Sequence, residues 1–233
     1  MKFLTVILIG AVLSLFSAGG AAAEEARATH KESDSRRSAL VVDGRTYDPQ
    51  SARFEMIVVT EDWVQEKKQW VYGQAPHVML SLEIMVDERS GEDGALAPDC
   101  GIVPIRPLPA LVSLPDMVFD EKAASFEAYY GNDAPELTAN VFRIIGFPAP
   151  DRVRLQWSAR YEEKGRLRFD GIVPFDGIRM QVKAPADAER LLRVAWPALD
   201  LSKVKRHDGK WTEYPGDIPA DRRRWLNVTF TLK

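Results

Sequence analysis

The sequence predicts an all-β protein: an antiparallel β-sandwich, immunoglobulin-like or jelly-roll-like, with at most one short helix. Three observations carry that expectation. Apolar residues recur with period two over most of the chain, Asp-Gly pairs sit between short alternating runs, and a single segment has helical spacing. The 233 residues are 45% apolar and 28% charged, with a formal charge of −3. This is the balance of a globular protein, and it excludes a disordered chain, a collagen-like fibre and a polytopic membrane protein. The one cysteine, Cys100, excludes an intramolecular disulfide, and three scattered histidines give no zinc-binding pattern.

The chain begins with Lys2, an apolar run from Phe3 to Phe16 and small residues ending in Ala21-Ala22-Ala23. This order predicts a signal peptide over 1–23, cut before Glu24. The apolar run is shorter than the roughly 20 residues of a spanning helix, so no membrane span is expected after cleavage. No cysteine follows it, which removes the lipoprotein route. The expected localisation is therefore periplasmic or secreted, from a bacterial source. Residues 24–38 hold four acids and four bases with little to bury, and are expected to be a disordered lead-in.

The domain proper is expected over 39–233. The first hairpin is predicted at Asp43-Gly44, because a two-residue type I′ turn needs positive φ at both central positions. Strands follow at 53–60 and 66–72. In 77–87, Val78, Leu80, Leu82, Ile84 and Val86 alternate with the other set, as expected of a strand with one inward face. Residues 88–115 interrupt the alternation with five prolines, a signature of an irregular loop, a proline-rich edge strand or a cross-over. As a loop, this segment could serve an inhibitor of an exported enzyme as the inserting element. Further strands are predicted at 125–130 and 137–145, the latter apolar on both faces. Phe147-Pro148-Ala149-Pro150 is the alternative boundary, near 147–150, if the domain divides in two.

Strand 152–162 alternates Val153, Leu155, Trp157, Ala159 and Tyr161 with Arg152, Arg154, Gln156, Ser158, Arg160 and Glu162. A hairpin through Glu163-Lys164-Gly165 then leads to strands at 167–173 and 177–183. Phe-Asp-Gly-Ile occurs at both 169–172 and 175–178, read as bend or bulge sites relieved by glycine. Asp187 is expected to cap a helix that presents Ala188, Leu191, Leu192 and Ala195, with a strand at 190–196 as the alternative. A second hairpin is predicted at Asp208-Gly209, and a final strand at 226–232.

Charge is unevenly distributed. Residues 39–150 carry 18 acids and 8 bases, a net of −10, whereas 151–233 carry 12 acids and 18 bases, a net of +6. Within the basic part, the 152–168 hairpin is expected to set Arg160 opposite Arg168, Glu162 opposite Arg166 and Ser158 opposite Asp170. Arg154, Arg160 and Arg168 are thus the candidate anion-binding residues, for a phosphate, carboxylate or acidic glycan. The competing reading is a solvated charge ladder in which Glu162 and Asp170 reach the arginines diagonally. Among six tryptophans, Trp63 and Trp211 are candidates for stacking against sugar rings, while Trp157 and Trp225 are expected in the core.

Catalysis lacks a motif. There is no G-x-S-x-G, H-E-x-x-H or P-loop. Asp116, Asp120 and Glu121 supply carboxylates without a defined geometry, and Cys100 with His77 or His207 is a weak thiol dyad. No catalytic residue, metal ligand or cofactor is assigned, and the reading leans away from an enzyme. The function expected is an exported non-enzymatic β-sandwich that binds a cell-envelope component, such as an envelope polymer, or a periplasmic partner protein. The alternative is a carbohydrate-binding module or glycoside-active protein. Nucleic acid is not an expected partner, because the charge is slightly negative and no recognition motif is present.

Overall fold

A computed structural model describes residues 38–60, 76–86, 100–130, 137–161, 165–213 and 224–233. The expectations for the signal peptide over 1–23, the lead-in from 24 to 37, the strand at 66–72, Trp63, and the segment 88–99 all lie outside these residues. The described chain is mostly β, with one α-helix, and its twelve strands form a single curled sheet, a half-barrel.

In chain order the strands are β1 (Ala39–Val42), β2 (Arg45–Tyr47), β3 (Pro49–Val59), β4 (His77–Val86), β5 (Cys100–Pro107), β6 (Met117–Asp120), β7 (Ser125–Tyr130), β8 (Leu137–Ala149), β9 (Arg152–Tyr161), β10 (Gly165–Val182), β11 (Val204–Glu213) and β12 (Arg224–Leu232). The main path runs β6-β8-β9-β10-β3-β4-β5-β7. β1 pairs with β10 and β2, and β12 pairs with β10 and β11.

The 18-residue β10 joins the two parts of the sheet. Its first part pairs with β9 and β1, and its second with β3 and β12. The β3–β10 pair is parallel and every other pair is antiparallel. Two strands were expected where β10 runs unbroken. The ladder to β3 shifts between Phe175 and Ile178, where Gly177 takes φ +100°. A bulge thus turns the strand without ending it, and only glycine adopts that backbone readily. A Cβ on Gly177 would also come within 2.8 Å of the Phe230 carbonyl oxygen. Gly171 serves differently. It stays in register opposite Leu155, and a Cβ there would collide with Ser38. Ser38 is buried and donates its hydroxyl to the Ile172 carbonyl at 2.9 Å. Ser38, expected in the lead-in, is therefore tied into the fold.

The alternating apolar residues face the concave side. Phe54 of β3 stacks on Phe142 of β8 at 5.9 Å and on Phe175 of β10 at 6.0 Å, so residues from both parts of the curl share one core. Each fully buried side chain of this size contributes roughly 1.5–3 kcal/mol, and a stacked pair adds about 0.5–1.5 kcal/mol. Trp157 is buried in β9 and Trp225 in β12, as expected. Helix α1 (Asp187–Ala195) covers part of this core with Ala188, Leu192 and Ala195. The helix prevails over a strand because its apolar positions have spacing near 3.6. Ala186 rather than Asp187 occupies its N-cap, and Asp187 instead pairs with Arg190 at 3.0 Å.

Turns divide into one success and one correction. Asp43 and Gly44 take φ of 49° and 82° and join β1 to β2, as a type I′ hairpin requires. Asp208-Gly209 makes no hairpin. β11 passes through both residues, and its register with β12 shifts between Asp208 and Trp211. The pair is a bulge, and a long partner strand keeps the chain extended across it. The proline-rich region also departs from a loop, since residues 100–107 form β5 between β4 and β7. The β4–β5 ladder skips the positions around Pro104, which cannot donate. Phe147-Pro148-Ala149-Pro150 closes β8 and turns it into β9.

Candidate functional site

The unusual surface is the convex side of β8, β9 and the first part of β10. Alternation decides which side chains lie there. Trp157, Ala159, Leu167 and Phe169 point inward, so Ser158, Arg160, Arg166 and Arg168 point out, and all four are exposed. On β8, Arg143 is exposed on the same side, opposite Gln156.

The β9–β10 register differs by two residues from that expected. Arg160 lies opposite Arg166, not Arg168, and Arg168 lies opposite Ser158. A shift of two preserves which face each residue occupies, so the apolar face survives intact. The cause lies in another hairpin. Asp43 accepts a hydrogen bond from the Arg166 amide at 2.8 Å and donates its own amide to the Arg166 carbonyl at 2.9 Å. That clamp draws Gly165 and Arg166 into the ladder, with Gly165 opposite Tyr161.

Arg160, Arg166 and Arg168 with Ser158 surround a shallow depression of about 420 Å³. Ala139 forms its side toward β8, and the main chain around Ala159 and Leu167 its floor. No acid is among the described residues that line it. Three arginines around one space bring like charges near one another unless an anion enters, and each guanidinium is a rigid fork suited to carboxylate or phosphate oxygens.

Ala139 marks a second irregularity. The β8–β9 ladder shifts between Thr138 and Val141, and Ala139 takes φ +52°. A left-handed alanine costs on the order of 1–2 kcal/mol, so the surroundings must hold it. They do so through buried Asn140 beneath it. Its amide donates to the Leu137 carbonyl at 2.9 Å and to Glu121 Oε1 at 3.3 Å, and its Oδ1 accepts from Trp157 Nε1 at 3.2 Å. Its backbone amide also donates to Glu121 Oε1 at 2.9 Å. The bulge turns Asn140 inward and leaves Thr138 and Ala139 outward beside the arginines. Bulges that redirect side chains are enriched next to functional sites.

Of the three arginines singled out from sequence, the fold brings Arg160 and Arg168 to the depression. Arg154 is six residues from Arg160 along β9, about 20 Å away at strand rise. It lies 3.6 Å from Asp170, which also lies 3.8 Å from Arg168 and accepts from Gln156 at 2.8 Å. Part of the expected charge ladder is thus present, centred on Asp170. Arg166, Ser158 and the Ala139 bulge escaped the sequence reading. The Arg-Leu-Arg alternation at 166–168 was the available signal for Arg166, obscured because the expected register neutralised it with Glu162.

The remaining candidates fall elsewhere. Trp211 is 42% exposed on β11, with the Arg224 guanidinium 5.0 Å from its ring centre. Nearby, the Asn227 amide donates to the Lys210 carbonyl and the Thr212 hydroxyl, and its Oδ1 accepts from Gln181. Asp120 and Glu121 are engaged structurally: Asp120 accepts from the Lys122 and Ala123 amides, and Glu121 anchors Asn140. His77 pairs with Pro107 and Ile84 with Cys100, so Cys100 and His77 stand seven ladder positions apart, about 23 Å. That separation removes their dyad. Among the described residues, no three His, Cys, Asp or Glu side chains gather to hold a metal ion, and no helix is long and apolar enough to cross a membrane. No protein family, curated protein or solved structure matches the chain.

Proposed function

We propose that this chain is an exported, non-enzymatic β-sandwich-type binding protein that holds an anionic group of a cell-envelope component or partner protein. The observation that carries this reading is the depression walled by Arg160, Arg166 and Arg168, with no acid among the described residues that line it. Placing those guanidiniums together gains nothing for the fold by itself, because like charges directly opposed destabilise a strand pair. The strained bulge at Ala139 supports the same reading, since it shapes the depression at a cost.

The test is calorimetric titration with polyphosphate as a soluble polyanion, at low and at physiological salt. The native chain is expected to bind, more weakly as salt rises. The Arg160→Ser, Arg166→Ser, Arg168→Ser triple variant is expected to lose binding while keeping its melting transition. Equal binding by the triple variant rejects the site. A carbohydrate-binding module is the second reading, favoured by the exposed Trp211 ring beside the Asn227–Thr212 pair. Quenching of tryptophan fluorescence by neutral oligosaccharides, abolished in Trp211→Ala, would select it.

A further inference from the structure

We propose that the arginine depression receives the phosphorylated headgroup of a membrane amphiphile, while exposed valines of β6 and β8 rest against its apolar part. The inference rests on the anion-binding reading above and adds the ligand's class and orientation.

It starts from what lies beside the depression. Val118 and Val141 are among the large apolar side chains left open, at 50% and 38% exposure. Single exposed apolar residues are ordinary, but these two are neighbours. Val118 lies opposite Arg143, two residues from Val141 on the same face of β8. Val141 lies opposite Ser158, which lines the depression, and Ser158 lies opposite Arg168. An apolar strip therefore runs directly into a cationic one across β6, β8, β9 and β10. Three strand spacings make this about 14 Å, the scale of a headgroup and the first part of its chains.

Charge on the same face agrees. Arg143, Arg154, Arg160, Arg166 and Arg168 are exposed there. Described acids near this face are engaged: Asp170 by Arg154, Arg168 and Gln156, Asp43 by the Arg166 amide, Glu121 by Asn140, and Asp120, opposite Val141, by amides of its own turn. Three arginines around one space favour a group with more than one negative charge, such as a phosphate monoester, over an isolated carboxylate. A polyanion in water would need no valines. An anionic bilayer surface offers both chemistries at one depth, and it attracts clustered arginines.

The test uses the full chain, phosphatidylcholine vesicles with and without phosphatidate, and soluble pyrophosphate. Sedimentation with phosphatidate vesicles, and not with phosphatidylcholine alone, is expected. The Val118→Thr, Val141→Thr variant keeps strand-forming shape and should bind phosphatidate vesicles roughly tenfold more weakly, with pyrophosphate binding unchanged. The triple arginine variant should lose on the order of a hundredfold on vesicles and its pyrophosphate binding as well. Unchanged vesicle binding by the valine variant, or pyrophosphate binding without vesicle binding, overturns the amphiphile and leaves the anion site standing. Unchanged binding of both ligands by the triple arginine variant, or binding of neither by the native chain, overturns both. Near-ultraviolet circular dichroism of each variant confirms folding, since every substituted side chain is exposed.

Discussion

On the face carried by β3, β4 and the second part of β10, Arg53 meets Glu83 and Arg179 meets Glu55, each at 2.6 Å, and Gln181 bonds Asn227. On the face carried by β8, β9 and the first part of β10, five arginines are exposed, and the ion pairs described for them are the longer ones of Arg154 and Arg168 to Asp170, at 3.6 and 3.8 Å. Both faces belong to one sheet and meet on one strand, so local backbone geometry does not explain the contrast. The paired face shows what the chain does with charge when the aim is stability. Burial alone would lower the Arg53 pKa, yet the charge and hydrogen bond of Glu83 raise it above its ordinary value. Among the described residues the arginine face has only the longer pairs to Asp170, which is expected where a cation is kept for something outside the chain.

Several substitutions would break or sharpen this contrast. The largest effect should come from the core that the two faces share. Phe54→Ala and Phe142→Ala should each cost about 3–5 kcal/mol, and each should leave a single thermal transition. Two separate transitions would mean that the faces belong to independent units. Next is the paired face, where Glu55→Ala removes a carboxylate with 11% side-chain exposure from Arg179. A loss of about 1.5–3 kcal/mol by urea denaturation is expected, and a negligible loss would erase the distinction between the faces. On the open face, Arg160→Ser should stay within about 0.5 kcal/mol, with a gain as natural as a loss. A cost above about 1 kcal/mol there would make the arginine structural. If the gain came with unaltered polyphosphate binding, the charge-ladder reading would replace the anion site.

The smallest effect lies on neither face. Asp200 is held below its ordinary carboxylate range, chiefly by hydrogen bonding to Ser202. A depressed folded pKa gives stability that is present above the unfolded value and lost as pH falls through the folded one. Asp200→Asn should therefore lower stability slightly at neutral pH and leave the acid end unchanged, flattening the profile, which a series of melts from neutral to acidic pH would detect.

Elements whose cause is local were legible in the sequence. The 77–86 strand follows from five alternating apolar residues, the 43–44 turn from the need for positive φ, and the helix from its four apolar positions. Features set by a distant partner were not. Asp208-Gly209 has the residues of a hairpin, but β12 holds it extended. The two-residue slip of Arg160 against Arg166 is fixed by Asp43, more than a hundred positions earlier. The parallel pairing of β3 with β10 has no signature in alternation, which is the same for both directions. The arginine face was half legible for the same reason: alternation gave its side of the sheet, and only register could say which arginines meet.

β10 has a consequence for the order in which the chain can assemble. It supplies neighbours to β1, β3, β9 and β12, and it occupies residues 165–182 of the 233. β1 and β3 are made long before it, and until it emerges each lacks a strand beside it. Contacts of such wide sequence separation slow folding, because long loops must close before the pairing repays them. Strands left waiting present unsatisfied edges to other chains. A ribosome-bound chain that ends before residue 165 should therefore remain open to proteases and chaperones, and closure should come abruptly once β10 is available to stitch the early strands to the late ones.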